Sequence, residues 1–268
     1  MSRGKLDKET AARVEKELPD VLDVRTASLR LQPDFISRGF PPGSDIPIAA
    51  VCLQDATSML EEARYALLES LAHIVWHREK RETPNESDAV FFGKFYADDA
   101  ALRIYAAGEH LANAIVNILE IKKEVREFKK QKLVKKKSVV SKQAIVGNYL
   151  IENNPSHEIT KAILKLKESD EWKKTRKYRD DWVHSKPPIV KGMGIEYERR
   201  NRLKVTATSI GISFGGGDEP QYTVDDLLGV IKPALFLFTE AVTEIVEYYV
   251  DFLNKNQKRE GKALQNPY

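Results

Sequence analysis

"LQDATSMLEEARYALLESLAHI", residues 53 to 74, decides the fold class. Leu53, Ala56, Leu60, Ala63, Leu67, Leu71 and Ile74 recur at spacings of three and four, the period of one apolar helix face and not the alternation of a strand. Extended outward, the pattern predicts a helix from about Ala49 to Arg81. A second is predicted from about Asp98 to Ile121 on Ile104, Gly108, Leu111, Ile115 and Ile118. His110, Asn113 and Asn117 form a polar ridge beside that second face. Such groups must find partners, either in an interhelical network or as the lining of a cleft.

Working towards the amino terminus, residues 5 to 31 read as one or two short helices interrupted at Pro19, followed by a loop through "FPPGSDIP". Towards the carboxyl terminus, Lys122 to Lys142 carries ten basic residues against Glu124 and Glu127 and reads as a charged helix or a connector. Helix resumes weakly over Val139 to Glu152 and stops at "NNP". "PSHEITKAILKLKESDEWKKTRKYRDDWVH" (155 to 184) is predicted to be one long helix with Ser156 as its N-cap. It must stop near His184, because Pro187 and Pro188 cannot continue the ladder. "RLKVTATSIGISFGGG" alternates and reads as a β-hairpin or an ordered arm. Thr223, with Asp225 and Asp226 behind it, caps a last helix reaching about Asn254.

The expected fold class is therefore all-α: an up-down helical bundle with extra amino-terminal helices and a small β-hairpin insertion before the last long helix. Expected boundaries are 1–46 for the amino-terminal extension, 47–254 for the bundle with an insertion at about 186–220, and 255–268 for a polar tail. No 20 to 50 residue repeat and no alternation of strands and helices argues for another class.

A single cysteine, Cys52, excludes an internal disulfide. The charged start lacks the apolar stretch of a signal peptide, and the most apolar segment carries Lys232, Pro233 and three glutamates. A cytoplasmic protein that does not enter a membrane is expected. Charge divides the chain more sharply than its net +3 suggests. Residues 1–121 carry 14 basic and 20 acidic side chains, 122–210 carry 24 and 11, and 211–268 carry 5 and 9. A polyanion is expected to meet the middle third. Lys129, Lys130, Lys135, Lys136, Lys137, Lys173, Lys174, Arg176 and Lys177 are the candidate RNA contacts there, against the plainer reading of a solvated charged face.

"RKYRDDWVH" (176 to 184) brings an arginine, acids and a histidine to the end of the third predicted helix. Histidine exchanges protons near neutrality, an arginine fork holds phosphate oxygens, and an acid orients either. These groups suffice for metal-free cleavage of RNA, in which a base deprotonates the 2′-hydroxyl and cations stabilise the phosphorane. In an unbroken helix His184 points roughly 140° away from Arg179, so convergence is expected to need an unwound last turn. Arginine-to-histidine spacings arise often by chance among 16 arginines and 5 histidines, Arg103 to His110 being another. A polar residue directly after the arginine narrows the set to Arg179.

Arg-x4-His with a polar second residue, at the end of the third helix of a bundle, resembles the HEPN superfamily. The resemblance implies a metal-independent endoribonuclease with Arg179, Asp180 and His184 as catalytic residues. It also implies a homodimer whose two motifs face one another, an antitoxin-type protein partner as a further class, and no cofactor or metal. The alternative is a non-catalytic nucleic-acid-binding or protein-interaction helical protein.

His73 and His77, at i and i+4, could share a metal, but no acid completes an HExxH-type motif and the apolar surroundings favour buried histidines. "FGGGDEP" lacks the lysine and hydroxyl residue of a P-loop and reads as a turn.

Overall fold

The computed structural model describes residues 5–133, 141–184, 188–193, 202–205, 210–213 and 220–259. Those residues are predominantly helical. The elements are α1 (Lys8–Glu15), α2 (Leu22–Leu29), α3 (Pro33–Ser37), α4 (Ile46–Val75), α5 (Glu86–Ile118), α6 (Lys122–Leu133), α7 (Lys142–Asn153), α8 (Glu158–Glu168), α9 (Asp170–His184) and α10 (Val224–Arg259). Two short strands, β1 (Arg202–Val205) and β2 (Ile210–Ser213), pair antiparallel with Leu203 opposite Ile212. The turn between them and the polar tail beyond Arg259 lie outside the described residues. Among the described residues no helix is long and apolar enough to cross a membrane.

Several helix limits differ from the sequence expectation for local reasons. The long helix expected over 155 to 184 is two helices. Ser169, at φ −63° and ψ 138°, ends α8. Its Oγ donates to the Leu166 carbonyl and accepts from the Trp172 N–H at 3.2 Å, so one serine closes one helix and opens the next. The N-cap of α8 is His157 and not Ser156: its Nδ1 accepts from the Ile159 N–H at 3.2 Å. α4 ends at Val75 and passes into a π turn over Trp76–Lys80. α5 begins twelve residues earlier than expected, with Asn85 Oδ1 accepting from the Asp88 N–H at 3.0 Å. The expected cap of the last helix is present in reciprocal form. Asp226 N–H donates to Thr223 Oγ1, and Thr223 N–H donates to Asp226 Oδ2.

The chain falls into two compact units, neither of them continuous in sequence: unit 1 comprises 1–18, 65–101 and 174–232, and unit 2 comprises 19–64, 102–173 and 233–268. Residues 19–46 therefore share a unit with 47–64.

Within unit 1, α1, the second half of α4, the first half of α5, most of α9 and the start of α10 bury Val14, Leu67, Ile74, Val90, Tyr178 and Leu227. Close approach is set by Gly93, where an added Cβ would lie 2.8 Å from Val224 Cγ2 and 2.9 Å from Ile74. Ser70 Oγ donates to the Gly93 carbonyl at 2.7 Å. After α9 the chain returns to this core, with Val190 buried and the Gln221 N–H donating to the Ile189 carbonyl at 2.9 Å. The turn there passes through Gly192 at φ +83°, the left-handed region that glycine enters without a Cβ penalty.

Within unit 2, Leu53, Leu60, Ile104, Leu111, Leu150, Ile159 and Phe238 are fully buried. Trp172 meets Phe238 edge to face at 4.5 Å, and Tyr249 donates to the Ile46 carbonyl at 2.6 Å.

Candidate functional site

α9 is an unbroken helix through His184, so the last turn does not unwind as the sequence reading required. Arg179 and His184 nevertheless meet. The length of the arginine side chain closes the angular gap: Arg179 Nη1 lies 3.3 Å from His184 Nε2. The same Nη1 donates to Asp180 Oδ1 at 2.9 Å. A guanidinium is a donor only, so the contact is a hydrogen bond in the tautomer whose Nε2 carries no proton. The arginine side chain is 16% exposed and Asp180 46% exposed, with His184 open to solvent. One side chain thus holds an acid and an imidazole at an accessible helix end.

The residue before this cluster fixes it to the core. Tyr178 is buried against Tyr222, edge to face at 5.5 Å. Its hydroxyl donates to Asp98 of α5. Burial first, and then the Asp98 carboxylate, push the phenol far above its usual range, so it remains a donor. Lys94 donates to the other Asp98 oxygen at 2.5 Å. Thr175, also buried, donates to the Val230 carbonyl at 3.0 Å. The Lys94, Asp98 and Tyr178 group is absent from the sequence reading, which began the second helix at Asp98. The aromatic-rich "VFFGKFYADD" (90 to 99) was the signal for an earlier start.

Of the remaining candidates, Lys174, Arg176 and Lys177 are exposed on α9 of unit 1, Lys177 pairing with Asp181 one turn on. Lys173 belongs to unit 2 and donates to the Glu168 carbonyl at 2.6 Å. Lys129 and Lys130 are exposed on α6 of unit 2, and Lys130 pairs with Glu127 at 2.8 Å. Lys135, Lys136 and Lys137 lie outside the described residues. The polar ridge of α5 is also in unit 2, where each member has a partner. His110 Nδ1 lies 3.5 Å from Asp55 Oδ2, Asn113 accepts from Lys142, and Asn117 donates to Cys52 Sγ at 3.7 Å.

No family model, curated protein or solved structure matches the chain.

His73 and His77 form a second histidine group in unit 1, of a different kind. Their rings stack at 5.8 Å, and Phe92 of α5 stacks on His73 at 4.4 Å and on His77 at 5.7 Å. Tyr96 lies on His73 at 5.4 Å. Both histidines are 8% exposed. Burial holds both below the ordinary histidine value, against the opposing pull of Glu69 on His73 and Asp88 on His77. Among the described residues no three histidine, cysteine or acidic side chains cluster as metal ligands. The pair is buried, as its apolar sequence context suggested. Unit 2 holds a cavity of about 280 Å³ whose walls include Glu158, Glu244, Glu247 and Asp251, a sign of charge that repels phosphate.

Proposed function

We propose that this chain is a metal-independent, HEPN-like endoribonuclease acting through Arg179, Asp180 and His184. The observation that carries the reading is the Arg179 Nη1 to His184 Nε2 contact at 3.3 Å, shared with Asp180 on the same guanidinium nitrogen. His184 takes the proton of an RNA 2′-hydroxyl, and the 2′-oxygen attacks phosphorus. Arg179, displaced from the imidazole by the incoming phosphate, stabilises the phosphorane charge. The bond to the 5′-oxygen breaks and that oxygen takes a proton from an imidazolium. In a homodimer with facing motifs, the partner subunit's His184 supplies it. Asp180 orients the guanidinium. The up-down bundle, the hairpin insertion and an antitoxin-type partner belong to the same proposal. Exposed Lys174, Arg176 and Lys177 on the same helix supply phosphate contacts without sequence readout.

The test is product chemistry. Labelled RNA incubated with the protein in EDTA is expected to yield fragments ending in a 2′,3′-cyclic phosphate and beginning with a 5′-hydroxyl. Fragments with 3′-hydroxyl ends, or intact RNA at all protein concentrations, contradict the reading. Salt-sensitive RNA binding without cleavage turns it into the non-catalytic alternative.

A further inference from the structure

Unit 1 exposes two phenylalanines one helical turn apart on α5, Phe91 at 50% and Phe95 at 60%. They are not loose surface rings. Phe91 leans edge to face on Phe92 at 5.1 Å, and Phe95 on Tyr96 at 5.3 Å. Phe92 and Tyr96 are in turn stacked on His73. The outer pair of rings therefore stands edge-on to an inner aromatic and imidazole layer at the solvent boundary.

The position of that pair relative to α9 follows from two contacts. α9 meets α5 where Tyr178 donates to Asp98. The chain beyond α9 meets α5 again at Val90, whose Cγ2 lies 3.6 Å from the place of a Gly192 Cβ. α9 thus packs on α5 at Asp98, and the chain beyond it returns to α5 at Val90. Phe95 and Phe91 sit three and seven residues before Asp98, about 60° and about 20° from it around the helix axis. They occupy the side of α5 that carries Asp98, the residue on which Tyr178 of α9 is anchored. Lys174, Arg176 and Lys177 on α9 add exposed positive charge, set against Asp180 and Asp181.

Flat apolar rings in one unit with exposed cationic side chains match an unpaired nucleotide strand, which offers base faces and phosphates together. A duplex keeps its base faces covered. We infer that Phe91 and Phe95 form a stacking platform that holds single-stranded nucleic acid at the end of α9. The inference builds on the proposed function by naming its substrate class, single-stranded and not duplex. Stacking is indifferent to the 2′-hydroxyl, so the platform also takes DNA single strands, which the chemistry does not cut.

Fluorescence anisotropy with a labelled ten-nucleotide single strand, as RNA and as DNA, and with the matching duplex, tests this on the full chain. The wild type is expected to bind both single strands more tightly than duplex. The Phe91→Leu, Phe95→Leu variant, which keeps apolar bulk at two exposed positions, is expected to bind both strands roughly tenfold or more weakly. Phe91→Tyr, Phe95→Tyr restores the affinity. Cleavage with affinity unchanged in the leucine variant overturns the platform and leaves the nuclease reading intact. Ring-dependent binding without any cleavage supports the platform and removes the nuclease reading. No binding of any single strand, or duplex preference, overturns the platform. So does a wild-type dimer that the leucine variant abolishes while oligonucleotide affinity stays the same, since the rings are then a protein interface.

Discussion

His184 and the His73 and His77 pair lie in one compact unit, yet the same side chain is put to opposite uses. The pair is 8% exposed, stacked on Phe92 and Tyr96, and held neutral by burial. His184 is open to solvent with Nε2 facing a guanidinium that a phosphate can draw away. A histidine that exchanges protons with a substrate needs access and a polar neighbour. A histidine that packs needs neither, and loses stability when it gains a proton. The difference teaches that residue type and spacing nominate a site, while surroundings assign its role.

The contrast makes activity and stability separable. His184→Ala is expected to lower RNA cleavage by about 10²–10⁴-fold while leaving unfolding within about 0.5 kcal/mol, as for an exposed substitution. Equal damage to activity and to the urea midpoint breaks the comparison. Next in size, Tyr178→Phe leaves Asp98, whose side chain is 11% exposed, without one donor. A loss of about 1–3 kcal/mol in equilibrium unfolding is expected, and an unchanged midpoint contradicts the anchoring role given to that hydroxyl.

The pH dependence of unfolding sharpens the other half. The unfolded chain binds protons on His73 and His77 near the ordinary value of about 6.5, and the folded chain only below it. Stability is complete above that value and declines as pH falls through it. Glu69 and Asp88 oppose the decline, and Arg81 and Lys5 add to it. Urea midpoints from pH 8 to pH 5 are expected to fall for the wild type and to flatten for His73→Gln, His77→Gln. A slope that survives the double substitution assigns the protons elsewhere. The smallest effect concerns Lys177, an exposed partner of Asp181. Lys177→Ala is expected to leave the unfolding midpoint in place and to reduce the salt slope of RNA binding by about one.

The apolar faces of α4 and α5 were legible because a three-to-four spacing persists over many turns, and the start of α10 because Thr223 and the two aspartates behind it mark a cap. Ser169 was not, since "KESDEW" is made of residues that helices accept, and only the serine's reciprocal capping shows that two helices meet there. The π turn at Trp76–Lys80 leaves no periodicity to read. Arg179, Asp180 and His184 were legible as residue types in one stretch. Their meeting through an unbroken helix was not, because helical angle describes Cβ directions and a guanidinium reaches beyond them. Phe92 and Tyr96 come from a different helix than His73 and His77, so no local pattern could reveal the stack.

The central claim is that Arg179 and His184 work as one unit. Single-turnover RNA cleavage in EDTA by the wild type, Arg179→Ala, His184→Ala and the double variant tests it directly. If the pair is one catalytic group, either single variant loses nearly the whole rate and the double variant is scarcely slower than either. Losses that multiply in the double variant, or a wild-type rate retained in either single variant, contradict it.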